Sequence, residues 1–248
     1  MIVTTAPPGS RLVTQSDHAR LAADLLRLFR LPELLEHPRR ELLLRAIAEH
    51  DNGWWEADAA PRLDAERESA LDFRDVAAGL RQEIWRRGVE RFAAESPYMA
   101  ALLATHCLRL LSPWEADPAW ESFRCQMLER RQELLAAAGE SPASLEVDDP
   151  WLALADRLSL AACTGQAAWV ELAPWRLEVA TRKGGTASGP PGDEPVEIAL
   201  QPFPFAGVTA FELSCRYLAP GPFVSAASLA VELAASPWRR IRVRVRPL

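Results

Sequence analysis

The spacing of apolar residues changes near residue 165. Before that point they recur at steps of three and four, as in amphipathic helices, and after it they alternate with polar residues, as in strands. We therefore predict a helical domain over residues 1–165 and a β-rich domain over residues 166–248. The expected fold class is mainly α, with a helical bundle followed by a small α+β unit.

Proline, glycine and asparagine residues mark where the predicted elements end. Predicted helices cover residues 15–29, about 38–51, 75–95, 98–111, about 118–138, 151–163 and 225–235, with loops over 54–72, 139–149 and 184–195. Predicted strands cover residues 175–181, 196–200, 211–218 and 240–246. Arginines alternate with aliphatic residues in the last strand, which we expect at a sheet edge with its arginine face in solvent.

Composition narrows the classes of protein to consider. Of the 248 residues, 49% are hydrophobic and 25% are charged, which is typical of a folded globular chain. The net charge of −6 argues against a nucleic-acid partner. The sequence shows no signal peptide and no uncharged stretch long enough to cross a membrane, so we expect a cytoplasmic protein with no membrane partner. A small-molecule substrate is the expected partner, and a homodimer is left open.

Three of the four histidines lie on the apolar faces of predicted helices. His18, His50 and His106 each stand three or four residues from alanines, leucines or isoleucines, so their imidazoles are predicted to point into the bundle. Asp51 directly follows His50, and Asp156 stands four residues from a leucine on either side. A single buried histidine is usually structural, but imidazoles and buried carboxylates together are typical of a metal site.

The order His18, His50-Asp51 and Asp156 resembles the pattern of the HD-domain superfamily over about residues 15–163. Proteins of that superfamily are helical, metal-dependent phosphohydrolases, so the resemblance implies an HD-like bundle. It also implies that these four residues are the metal ligands. The expected cofactor is one ion of Mn, Fe, Ni or Zn, or Mg if more oxygen ligands join.

A narrower resemblance spans nearly the whole chain. Several motifs look like an uncharacterised bacterial family known only as a domain of unknown function, and that resemblance implies no activity. They are Gln15-Ser-Asp-His18, His50-Asp-Asn-Gly-Trp54, Asp72-Phe73, Pro97-Tyr98, Leu103-Ala-Thr-His106 and Asp156-Arg-Leu-Ser-Leu160.

Other polar residues near the ligands are candidates for supporting roles. Asp51 could bridge the metal and the nucleophile, and Glu56 and Asp58 are the nearest carboxylates in sequence for proton transfer, although solvated loop charges are the simpler interpretation of both. His106 could bind a second metal or the substrate. Gln15 could act from the second shell or cap its helix, and Trp54 could form part of an aromatic wall.

The leading hypothesis is a metal-dependent hydrolase of HD type that acts on a phosphate ester of a small molecule or nucleotide. The loop after the His-Asp pair carries Trp54, Trp55 and Glu56 and lacks an evident lysine or arginine for a phosphate, which weakens this hypothesis. The alternative is a non-catalytic interaction protein with a structural or vestigial His/Asp site. Metal-dependent oxygenation is a third alternative, for which two irons and more histidines are expected.

Overall fold

The computed structural model describes residues 1–6, 9–111, 117–166, 168–172, 175–183 and 195–248, and only the backbone over 168–183. Helices occupy most of the chain up to residue 164 and strands most of the described remainder, so the layout is α+β. The predicted loop over 184–195 lies outside the described residues, apart from Pro195.

The described helices agree with most of the predicted ones to within a few residues. Thr14 caps the first helix because its side chain accepts from the backbone N–H of Asp17. The α-helices are α1 Gln15–Arg27, α2 Pro32–Leu35, α3 Arg40–Ala48, α4 Trp55–Ala59, α5 Ala78–Ala93, α6 Pro97–Leu110, α7 Pro118–Ala138, α8 Pro142–Thr164 and α9 Ala226–Ala235. Two 3₁₀ turns cover Asn52–Trp54 and Phe73–Asp75.

The predicted polar loop over residues 139–149 is wrong for most of its length. Helix α8 begins at Pro142, after Ser141, and continues through Pro150 to Thr164. Pro142 therefore occupies the first turn, the position that the sequence prediction gave to Pro150. An internal proline costs one helical hydrogen bond, but Leu145 and Trp151 are buried on either side of it and hold the helix against its neighbours.

Two other predicted segments also differ from the structure. Helix α3 ends at Ala48, so His50 and Asp51 lie in a turn after the helix, whereas the prediction placed them in its last turn. The predicted loop over residues 54–72 contains α4 and a short antiparallel hairpin of β3 Leu63–Asp64 and β4 Ser69–Ala70. These elements are too short for hydrophobic periodicity to reveal them.

The strands form one sheet from both ends of the described chain. Its spatial order is β1-β2-β8-β9-β7-β6-β5, in which β7 and β9 are parallel and the other neighbours antiparallel. The strands are β1 Ile2–Ala6, β2 Gly9–Val13, β5 Ala168–Leu172, β6 Trp175–Lys183, β7 Val196–Gln201, β8 Thr209–Leu218 and β9 Arg239–Pro247.

Three features of the sheet differ from the prediction, and the first is that β5 was not predicted. The hairpin of β1 and β2 was not predicted, because five-residue strands give little alternation to detect. Strand β9 lies between β8 and β7, so the prediction of an edge strand is wrong. Its alternation has another cause: Ile241, Val243 and Val245 enter the core, while the intervening arginines face solvent.

The helices and the sheet share one hydrophobic core. Leu25 of α1, Leu158 of α8, Ile198 of β7 and Val243 of β9 belong to the same cluster of buried residues. The division into two domains at residue 165 stays a prediction. Within the described part of the chain, no helix is both long enough and apolar enough to span a bilayer.

Candidate metal centre

Three separate segments bring the predicted ligands together. His18 lies on the buried face of α1, and Asp156 lies on the buried face of α8, which packs against α1. His50 and Asp51 come from the turn after α3. All four side chains are buried, and we refer to them below as the His/Asp cluster.

The turn that carries His50 and Asp51 is fixed by close packing against α5. The side-chain amide of Asn52 donates to the carbonyls of Glu49 and Gly88. A Cβ atom at Gly53 would collide with the carbonyl oxygen of Ile84, so only glycine allows the turn to approach α5 this closely. The Asn-Gly pair therefore fixes the turn that carries the ligands, four residues after the end of α3.

The distances within the cluster suit a single metal ion. His18 Nε2 lies 3.1 Å from Asp156 Oδ1 and 3.7 Å from Asp51 Oδ2. His50 Nε2 lies 3.3 Å from Asp51 Oδ2 and 3.6 Å from Asp156 Oδ1. Two ligands of a tetrahedral ion, each about 2.1 Å from it, are about 3.4 Å apart. His18, His50 and Asp51 each place one ligand atom within 4.8 Å of the other two, and so do His50, His106 and Asp156, so the buried groups are close enough to hold an ion.

The hydrogen bond made by Nδ1 of each imidazole turns Nε2 toward the carboxylates, and His18 Nε2 lies within hydrogen-bonding distance of Asp156 Oδ1. His50 Nδ1 donates to the carbonyl of Ile47 at 2.7 Å, so in the neutral ring the lone pair is on Nε2. Ser159 Oγ donates to the carbonyl of Asp156 and accepts from His18 Nδ1 at 2.8 Å, which gives His18 the same tautomer. His50 Nε2 is buried and has no hydrogen-bond partner among the described residues.

The two carboxylates draw positive charge to the cluster. Burial lowers the pKa of His50, but Asp51 and Asp156 outweigh burial and raise it to about 10. Burial raises the pKa of Asp156, yet His18 and His50 hold it well below its usual range. Buried carboxylates need a nearby cation, which protons on the imidazoles or a divalent ion can supply. The donor set of imidazole nitrogens and carboxylate oxygens fits Mn, Fe, Ni or Zn.

His106 approaches the cluster with the opposite tautomer. Its ring lies 4.9 Å from that of His50, centroid to centroid, and Arg109 Nη2 donates to its Nδ1 at 2.7 Å. Because a guanidinium only donates, the proton of His106 is on Nε2. Burial, together with Arg109 and His50, lowers the pKa of His106 to about 3. His106 therefore offers an N–H donor, which favours a substrate contact over a second metal.

A cavity of about 170 Å³ opens onto the cluster. His18, Asp51, Asp156 and His106 line one part of it. Trp54 and Gln15 also line it, as the sequence predicted for residues close to a substrate. Gln15 is buried, and its Oε1 has no hydrogen-bond partner within the described part of the protein. A ligand in this cavity would touch the cluster directly.

The structure does not bring Glu56 and Asp58 to the cavity. Glu56 faces solvent and pairs with Arg91 at 2.6 Å and Arg87 at 3.0 Å. Asp58 accepts from the backbone N–H of Gln15 at 2.6 Å and pairs with the N-terminal ammonium. Of these two residues of α4, Glu56 is therefore on the surface, whereas Asp58 is buried against the start of the chain and of α1.

Several residues at the cavity were not singled out from the sequence. Arg74 and Arg81 line it and supply the cations that the loop after the His-Asp pair lacks. Arg81 is buried, and its Nη2 donates to three backbone carbonyls between residues 73 and 76. Ser159 and Arg109 each stand three residues after a histidine or aspartate of the site, so helical spacing could have identified them.

Comparison with known proteins places the chain in a family. The pattern of the family described as "Protein of unknown function (DUF3891)" matches residues 1–219. The chain belongs to this family. The DUF3891 match includes every residue of the His/Asp cluster, His106 and strands β1 to β8. No curated protein and no solved structure matches the chain.

Proposed function

We propose that this protein is a metal-dependent hydrolase of HD type that acts on a phosphate ester of a small molecule or nucleotide. The resemblance of His18, His50-Asp51 and Asp156 to the HD superfamily supports the reaction class. The arrangement of these residues around one point, on α1, α8 and the turn between them in sequence, supports the choice of ligands.

One observation carries the proposal. Two buried imidazoles, His18 and His50, present Nε2 to two buried carboxylates, and an accessible cavity ends at the same point. A purely structural cluster gains nothing from a cavity, whereas a catalytic ion needs an open position for substrate. The cavity therefore favours catalysis over the alternative of a structural or vestigial site.

The chain's own side chains suit the hydrolysis of a phosphate ester. A divalent ion held by the cluster would lower the pKa of a water molecule and polarise a phosphoryl oxygen. In the reaction the water oxygen bonds to phosphorus, the ester P–O bond breaks and the leaving oxygen takes a proton. His106 Nε2–H can donate to a phosphoryl oxygen, and the guanidinium groups of Arg74 and Arg81 favour an anion in the cavity.

Metal analysis and a phosphatase assay test the proposal together. Protein purified without a histidine tag or added chelator should contain about one equivalent of Mn, Fe, Ni or Zn, with Mg tested by titration. With that metal it should hydrolyse phenyl phosphate. Asp51→Asn should lower the rate at least about 100-fold. The matched control is Asp24→Asn, on the exposed face of α1, which should not change it.

Two results would contradict the proposal in different ways. No bound metal, and none taken up on titration, would mean that the cluster is a hydrogen-bonded structural feature. Bound metal without hydrolysis of any aryl, alkyl or nucleoside phosphate would mean that the ion is structural.

A further inference from the structure

The walls of the cavity are less polar than the end that holds the His/Asp cluster. Away from the cluster the lining is mostly apolar and consists of Trp54, Phe73, Trp85, Leu110 and Leu160. Trp54 and Phe73 meet edge to face with their centroids 6.4 Å apart, which gives that wall a defined shape. A ligand that reaches the cluster must therefore place an apolar body against these side chains.

The size of the cavity limits that body. Its volume is about 170 Å³, and an apolar protein cavity of about 150 Å³ holds one benzene molecule. The cavity must also accommodate the reacting group beside His18 and Asp51. A base joined to a ribose is much larger than one ring and would have to leave most of its polar surface outside or against the apolar wall.

Apart from His106 and the His/Asp cluster, the polar residues that line the cavity are Gln15, Arg74 and Arg81, and Arg81 is buried with its guanidinium over the ring of Trp85. Gln15 Oε1 needs a donor, and Arg74 is solvent-exposed at the edge of the cavity, held by its Nε–H donation to Asp72 at 2.6 Å. The apolar wall itself offers no described carboxylate or amide to read the edge of a base or the hydroxyls of a ribose. Nucleotide recognition normally requires such groups.

We infer that the substrate is a compact monoester, with one phosphoryl group at the cluster and an apolar body of about one ring, and that nucleotides are excluded by size. This inference rests on the proposed function and narrows it to one of its two substrate classes. Leu110 is a specificity-determining residue in this interpretation, because its side chain lines the apolar part of the cavity from the last residue of α6.

Binding of non-hydrolysable phosphonates separates this inference from the proposed function. Phenylphosphonate should bind the metal-loaded protein at least about tenfold more tightly than the phosphonate analogue of adenosine monophosphate. Titration calorimetry measures both, and quenching of Trp54 and Trp85 fluorescence gives a second readout. Equal or tighter binding of the nucleotide analogue, or no binding of phenylphosphonate, would overturn the inference. Preferential binding of phenylphosphonate without hydrolysis of any aryl, alkyl or nucleoside phosphate would overturn the proposed function, and the cavity would then select a ligand of this size without reacting with it.

Two variants on α6 test whether the apolar wall selects the ligand. Leu110→Ala should improve binding of 1-naphthylphosphonate relative to phenylphosphonate by about tenfold or more, because it shortens a side chain that lines the cavity and so makes room for a second ring. Leu108→Ala is the control, since Leu108 is also partly buried on α6 but does not line the cavity. An equal change in both variants, or none in Leu110→Ala, would show that this wall does not select the ligand.

Discussion

Two clusters of buried polar residues share helix α8, which carries Asp148 in one cluster and Asp156 in the other. Helix α6 carries Tyr98 of the first cluster and His106, which approaches the His/Asp cluster. The Asp148 cluster consists of His37, Arg39, Tyr98 and Asp148. In both clusters a buried carboxylate faces an imidazole, but the charges are balanced differently.

Asp148 is satisfied by groups of the chain itself. Arg39 Nε donates to it at 2.9 Å, Tyr98 Oη donates at 2.7 Å, and His37 Nε2 lies 3.0 Å away. Burial and the hydrogen bond to Asp148 raise the pKa of Tyr98. In the His/Asp cluster, by contrast, the carboxylates face imidazoles whose far sides are already fixed as donors. The comparison teaches that a buried His/Asp contact alone does not indicate a metal site. His37 Nδ1 accepts from the backbone N–H of Arg39, so His37 Nε2 carries a proton toward Asp148. The imidazoles of the His/Asp cluster instead donate through Nδ1, and three side chains of that cluster line a cavity.

The largest expected effect is on stability, at the Asp148 cluster. Asp148→Asn should lower the free energy of unfolding by about 3–5 kcal/mol, because it leaves buried donors without their charged partner. Asp24→Asn, which breaks an exposed pair with Arg27, should cost under about 1 kcal/mol. Urea denaturation of both variants measures the difference. Equal costs would show that the groups around Asp148 do not stabilise the fold more than an exposed ion pair does.

The second effect is on metal affinity. The same substitution, histidine to alanine, is made in each cluster. His50→Ala should weaken metal binding at least about 100-fold, which is about 2.7 kcal/mol, because it removes a ligand. His37→Ala should leave metal content unchanged, since His37 contacts only the Asp148 cluster. Elemental analysis and metal titration measure both. Loss of metal from the His37 variant alone would reverse the assignment of the clusters.

The third effect is a dependence of stability on pH in chelator-treated protein. The pKa of His50 rises from 6.5 to about 10 on folding, so its charge stabilises the fold fully below about pH 6.5, and this contribution is lost as pH rises toward 10. Between pH 7 and 9 the free energy of unfolding should therefore fall, by at most about 1.4 kcal/mol per pH unit. His50→Gln should lack this slope, and a slope of the same size in that variant would assign the titration to another group.

The smallest effect is expected at Glu56. Glu56→Gln should change the free energy of unfolding by less than about 0.5 kcal/mol and leave metal content and hydrolysis as they are, because this side chain is in solvent with two arginines. Rate and metal measurements on the purified variant check it. A large fall in rate would restore Glu56 to the reaction, as its position in the sequence first suggested.

Helical periodicity predicted more of the candidate site than any other signal. His18, His106 and Asp156 lie on helices whose apolar stripes already point inward, so their burial follows from spacing alone. Glu56 and Asp58 were chosen because they are near Asp51 in sequence, but α4 turns them away. Asp148 was missed because Pro150 suggested a helix start. Arg74 was missed because a 3₁₀ turn has no apolar period that shows which way its side chains face.

The position of β9 has a consequence for the order in which the chain folds. Strands β7 and β8 are both synthesised before β9, which lies between them in the sheet. Until β9 arrives, each of these strands presents an open edge of backbone N–H and C=O groups that can pair with another chain. The helices, with their mostly local contacts, can form earlier. Before β9 is made, the growing chain thus has a helical layer and two separate groups of strands, β1-β2-β8 and β7-β6-β5. A chaperone would protect the chain most at this stage.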